Sequence, residues 1–347
     1  MTKRYLGNII TQNPTAPAGP YQDGAASGVW SLAEAFAYNK AGLWPIAGNA
    51  FPSYGLFMGG SPRSSVDYVV LATTGNASDW GDWAYQIYDG AACASSTRAF
   101  YFAGTENGSF TTAISSVSFV IGSATVDFGD QTHENGYASR PAALSNSTRG
   151  VVGCGSGANS PYYLNKMQYI TLASAGNAID FGDSTNARDK LTAFASPTRG
   201  IFSAGRNASG YRNRIDYITI ASTGNAADFG DVTVARAAPA GLSSSTRGLT
   251  LGGETGSSLN VIDYVTIAST GNAVDFGDLV VARHFTAGCC SETRGVVGGG
   301  YNSGINNELN QMDYVTIAST GNATNFGDLT ITRTQLQAAS NAHGGLA

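Results

Sequence analysis

Charge is scarce in this chain. Only 12% of its 347 residues are Asp, Glu, Lys or Arg, against about 25% in an ordinary globular domain. Just four of its nineteen basic residues are lysines, Lys3, Lys40, Lys166 and Lys190. Solubility must therefore rest on Ser, Thr, Asn and Gly. A net charge of -5 without a basic stripe argues against a nucleic-acid partner, because binding a phosphate backbone needs clustered cations. Long apolar runs are also missing. No stretch approaches a membrane span, and residues 1–14, MTKRYLGNIITQNP, lack the apolar run and small-residue cleavage site of a secretory signal. The expectation is a soluble chain made in the cytoplasm and not inserted in a membrane. Cys93, Cys154, Cys289 and Cys290 show no metal-type spacing, and His133, His284 and His343 are scattered, so neither a metal site nor a cofactor is expected. Cys93 and Cys289 each precede an arginine by five residues, which suggests one strand position in two units, filled by a small buried side chain rather than a disulfide.

What the chain has in abundance is repetition. A hydrophobic segment, a Ser-Thr-Gly-Asn-type turn and Asp-Phe-Gly-Asp recur six times, most clearly at 263–278 and 313–328. The copies end at Asp82, Asp130, Asp183, Asp231, Asp278 and Asp328, with spacings of 48, 53, 48, 47 and 50 residues. Such a period belongs to stacked or radially arranged supersecondary units. A second block, Ser/Thr-x-Thr-Arg-Gly followed by apolar residues and a Gly doublet, recurs as 244–253 and 291–300, and Tyr54 replaces its arginine in the first unit. Each unit reads as four strands, represented by 286–290, 295–299, 262–268 and 273–282. The Thr-Arg-Gly and Thr-Gly-Asn segments would be hairpin turns with positive φ. The third strand carries adjacent apolar residues, as in Tyr264-Val265, so both faces of each sheet should be covered. An all-β propeller follows, with six four-stranded blades and seven as the alternative. The tail 340–347 reads as a strand that returns to the first blade and closes the ring. Residues 47–50 resemble a spare first strand, which keeps the seventh blade open.

The unit resembles kelch-type propellers over about residues 45–347. The resemblance is carried by Gly298-Gly299, Tyr264 or Tyr314, Phe276 or Phe326, and Arg236, Arg283 or Arg333. Only Trp80 keeps the tryptophan that kelch units more often carry, and the Gly doublet is broken at Ala103-Gly104 and Ala204-Gly205. The partner-binding residues of kelch proteins therefore do not transfer. Residues 1–44 lie outside the repeat. There Ser31 and Glu34 form a capping-box pattern for a short helix ending near Gly42. Trp30, Leu32, Phe36 and Trp44 give this segment an apolar set suited to docking on the propeller rim or anchoring to a larger assembly. SGVWSLAEAFAYNKAGLWP, residues 27–45, is similar to a segment of tailed-bacteriophage structural proteins, including kelch-like repeat proteins of cyanophage type. That resemblance implies a virion protein of tail, fibre or capsid surface, bound to other virion proteins through its N-terminal segment, with homo-oligomers among the assemblies it allows.

No copy carries an obvious catalytic set. Asp-Phe-Gly matches the kinase magnesium loop only in letters, since the partner motifs of a kinase are missing. Its aspartates are expected to accept turn hydrogen bonds or to pair with a repeated arginine, with Arg247 the residue to test. The Gly runs lack the helix and Lys-Ser/Thr of a phosphate loop. His133 and Glu134 share an enlarged loop, 131–140, without support for acid/base work. The strongest contrast is internal. The two turns barely change, whereas the loops between second and third strands differ in every unit, as a binding face requires. Tyr162, Tyr163, Tyr211, Arg212 and Arg214 in these loops, with Tyr301 beside another, are types enriched at interaction hot spots. With Trp30, Phe36 and Trp44 they form the candidate partner-binding set. A host-surface protein or glycan is the alternative partner, and a hydrolase or lyase would need a convergent acidic or His cluster on one face.

Overall fold

In the unit spanning 240–278, four segments form one antiparallel sheet: Ala240–Ser243, Arg247–Leu251, Val261–Thr266 and Val274–Asp278. Leu242, Leu249, Tyr264 and Val274 lie side by side across it. This computed structural model describes residues 4–6, 28–30, 33, 52–132, 138–157, 159–160 and 162–346. The pattern recurs in six sheets. Their innermost strands are Gln337–Ser340, Ala91–Ala94, Ala142–Ser145, Thr192–Ala195, Ala240–Ser243 and Ala287–Cys290, in blades 1 to 6. Each touches the next, and the sixth touches the first. The chain is thus a six-bladed β-propeller. Blade 1 joins the C-terminal strand to Tyr54–Met58, Ser65–Val70 and Ser78–Asp82, so the expected return of the tail is observed. The returning strand ends at Ser340, however. Residues 341–346 make a turn and a 3-10 segment, Gly344–Leu346, which leaves the sheet and lies against the innermost strands Ala142–Ser145, Thr192–Ala195 and Ala240–Ser243. Gly344 and Gly345 pack too closely on Ser244 and Ser145 for a Cβ.

The chain divides into two compact units, Met1–Ser53 and Tyr54–Ala347. In the first, Arg4–Leu6 pairs antiparallel with Gly28–Trp30. The helix expected from Ser31, with Phe36 and Trp44, the strand-like 47–50, and His133 and Glu134 all lie outside the described residues, apart from Ala33.

The repeated motifs prove to be inter-blade fasteners. Asp-Phe-Gly-Asp ends the outer strand, with its aromatic buried and its glycine, such as Gly230 at φ 148°, forming a bulge. Onto this edge docks the Thr-Gly-Asn turn of the next blade. Gly271 N donates to the Phe229 carbonyl and Ala273 N to that of Asp231, both at 2.8 Å, while Asn272 Oδ1 accepts from Asp231 N at 3.1 Å. Five seams repeat this clip. The arginine expectation is corrected in its partners. The buried pairs are Arg188–Asp216 (2.7 Å), Arg236–Asp263 (2.9 Å), Arg283–Asp313 (3.0 Å) and Arg333–Asp67 (2.6 Å). They join the linker entering a blade to that blade's third strand, and the final Asp of the phrase is not the carboxylate involved. Arg247 instead lies over Tyr264, 4.4 Å from the ring centroid, and donates to the Ile317 carbonyl of the next blade at 3.0 Å.

The Thr-Arg-Gly glycine also has a different reason from the one expected. Gly248 is absent from the positive-φ residues. It is glycine because a Cβ there would overlap the Phe194 ring of the preceding blade's innermost strand. Cys93, Leu144, Leu242 and Cys289 are the matching knobs against Gly150, Gly200, Gly295 and Gly55. Cys93 and Cys289 therefore do share one strand position, and all four cysteines are free and buried.

Candidate functional site

Strand alternation sorts the loops by face. Since each blade's strands run antiparallel, the Thr-Arg-Gly and Thr-Gly-Asn turns gather at one end of the propeller. The variable loops and the linkers between blades gather at the other. Isolated bridges tie four of the linkers to the variable loop beside them, Ser139 to Ser156, Asp189 to Arg206, Ala237 to Glu254 and His284 to Tyr301.

At the centre of the loop face the linkers build a ring. Two residues before each innermost strand stand Asp89, Arg140, Lys190, Ala238, Phe285 and Gln335, all left-handed with φ between 51° and 59°. Each backbone N–H donates to the carbonyl of its counterpart in the preceding blade, at 2.7 to 3.4 Å, and the six bonds close on themselves. Left-handed non-glycine residues cost about 1–3 kcal/mol each and persist where the surroundings over-determine them. Here every neighbour enforces the same geometry. The side chains of the ring surround the mouth of the central channel, a cavity of about 90 Å³. Below it the channel is lined by Ala92, Ala143, Ala193, Gly241, Gly288 and Ala338. Its far end holds a second cavity of about 70 Å³ next to His343. The His343 ring sits 3.0 Å from the Ala94 carbonyl and accepts Gly345 N–H at Nδ1 (3.2 Å).

The mouth is charged yet balanced. Asp89 is held by Arg140 at 3.0 Å and by Gln335 at 2.8 Å. Just outside, Arg206 reaches Asp189 at 3.3 Å, and Lys190 reaches Glu254 at 3.1 Å while lying 4.3 Å from the Phe285 ring centroid. His284 stands 3.7 Å from Glu254, with Nδ1 2.9 Å from Ser258 Oγ. Burial pushes the Lys190 pKa down, with Glu254 opposing. Burial likewise raises that of Asp189 against the pull of Arg206, Arg140 and Lys190. The His284 imidazole is also pushed down by burial, against Glu254. Arg140, Arg206 and Lys190 thus stand opposite Asp89, Asp189 and Glu254, with His284 beside Glu254.

The expected site residues fall in several places. Tyr162 is exposed at 65% at the tip of its loop, with Tyr163 half-buried at the base against Ser156. Tyr211 belongs to a small hairpin, Arg206–Asn207 with Gly210–Tyr211, and Arg212 is turned inward to Asn207 Oδ1 at 2.6 and 2.9 Å. Arg214 lies in the third strand, ion-paired to Asp228 at 3.0 Å. Tyr301 packs against His284, with ring centroids 5.4 Å apart, and borders the mouth. The side chain of Trp30 lies outside the described residues. Sequence reasoning missed the mouth itself, whose signal is variation at one fixed repeat position (Asp, Arg, Lys, Ala, Phe, Gln) inside an otherwise regular linker.

Among the described residues no group of three or more His, Cys, Asp or Glu could hold a metal ion. No described helix is long and apolar enough to cross a membrane. Compared with protein families and with curated proteins, the chain matches none.

Proposed function

We propose that this chain is a non-enzymatic interaction module in which the repeats form a scaffold and the loop face makes contact with a partner. The observation that carries this reading is the contrast between the two faces. Turns at one end are consumed in fastening blades, whereas the other end varies in every unit around a rigid mouth. Pairing of every mouth carboxylate with a cation supports recognition over acid/base chemistry. Taken with the resemblance of residues 27–45 to tailed-bacteriophage structural proteins, the reading becomes a virion component of tail, fibre or capsid surface. In it, the N-terminal segment with Trp30, Phe36 and Trp44 binds other virion proteins. Mass spectrometry of purified particles tests it: the chain should be present in stoichiometric amounts, and its absence would overturn the virion role. A second reading, a propeller that binds a host-surface protein or glycan, is favoured by the polar cavity at the mouth.

A further inference from the structure

We propose that the channel mouth is a cup for a neutral saccharide, which takes the leading part of one terminal sugar ring. This inference rests on the loop face being the recognition face, and it names the ligand class. Charge balance is the first observation. Asp89, Asp189 and Glu254 are matched by Arg140, Arg206 and Lys190. An anionic or cationic ligand would have to displace a partner already in place, and leaving a buried charge uncompensated is costly. Hydroxyl groups need displace nothing, because carboxylate oxygens accept several hydrogen bonds and a guanidinium has five donors.

The second observation is two-sidedness. Around the ring, Gln335, Asp89 and Arg140 are consecutive, and they form a hydrogen-bonding arc. Ala238 and Phe285, both lining the same cavity, stand across it from Asp89 and Arg140 in the six-fold order. Lys190, held by Glu254, lies 4.3 Å from the Phe285 ring centroid, so the ring offers C–H groups only the part of its surface that Lys190 leaves open. A pyranose has the same division, with hydroxyls at its edge and C–H groups on its face. The floor of the cup is formed by alanines and glycines, which offer no charge. Third, the groups are already ordered. The backbone ring fixes each left-handed residue, and the polar side chains hold one another, so little rotamer freedom remains to be lost on binding. A cavity of about 90 Å³ admits the leading part of one ring and leaves the remainder of a glycan towards Tyr301 and the variable loops.

Saturation-transfer NMR and titration calorimetry on the full chain test this with glucose, galactose, mannose, N-acetylglucosamine, sialic acid and inorganic phosphate as probes. At least one neutral sugar should bind. Phe285→Ala and Asp89→Asn should each weaken it at least tenfold with melting curves still cooperative, while Ser222→Ala on the opposite face leaves it unchanged. Asp89→Asn keeps the side chain's shape, and Phe285→Ala serves if that variant does not fold. The proposal is overturned if none of the neutral sugars binds, if Phe285→Ala binds as well as Ser222→Ala, or if sialic acid or phosphate binds more tightly than every neutral sugar. Particle incorporation separates the two claims. A chain present in particles that binds no sugar defeats the cup alone; a sugar-binding chain absent from particles defeats the virion role alone.

Discussion

Asp313 is fully buried beside Arg283. Burial raises its pKa, with Arg283 opposing, so the carboxylate depends on the guanidinium that reaches it from the linker. Removing one member of a buried pair typically costs about 3–5 kcal/mol. Arg283→Ala should therefore lower stability by that order in urea denaturation, and more than Arg247→Ala. The Arg247 carbonyl bond and ring contact are half-exposed and worth about 1–3 kcal/mol. Gly248→Ala should also destabilise, through overlap with Phe194, and Phe194→Ala should relieve part of that loss in a double-mutant cycle. Acid sensitivity belongs to this scale too. Burial lowers the pKa of His343 in the folded state below its unfolded value of about 6.5. The unfolded chain then takes up the proton first, so this contribution is complete above that pH and fades as pH falls towards the folded value. Protonation at Nδ1 would also break the bond from Gly345 N–H. The urea midpoint should drop between pH 7 and pH 5, and His343→Gln should flatten that drop; an identical pH profile in the variant would refute the assignment.

At the scale of elements, one seam differs from the rest. Between blades 1 and 2 the Thr-Gly-Asn turn is replaced by residues 119–125, FVIGSAT. A Cβ at Gly81 would meet nothing within 4 Å, and among the described residues neither the clip nor the arginine–carbonyl tie forms at this seam. Trp80, Trp83, Tyr101 and Phe119 fill this seam instead, in one buried cluster. The Asp82 amide, without the asparagine acceptor that holds Asp231 and Asp278, should exchange with deuterium faster than either; equal protection would count against the clip. Much of this level was legible in the sequence. The four strands of each unit and their order follow from apolar runs and turn residues. The reason for each glycine was not, because Gly248 answers to Phe194 in another blade, and no local pattern reports that contact. The mouth stayed hidden for a related cause. Asp89 and Gln335 meet at 2.8 Å only after the ring has closed, although they are 246 residues apart.

Closure is the property of the whole molecule. Gln337–Ser340 completes the blade begun by Tyr54–Met58, so the two ends of the repeat region stabilise each other. Deleting 337–347 removes an innermost strand and bares a sheet edge; the truncated chain should melt lower and self-associate in sedimentation velocity. The central claim is that repetition builds the scaffold and recognition lies where repetition fails. Hydroxyl-radical footprinting of the chain in purified particles, compared with the free protein, tests this most directly. Protection should fall on Tyr162, Tyr211, Tyr301 and Phe285 or on residues 1–53, with the Thr-Gly-Asn turns labelled equally in both states. Protection confined to those turns, with the loop face unchanged, would contradict the account.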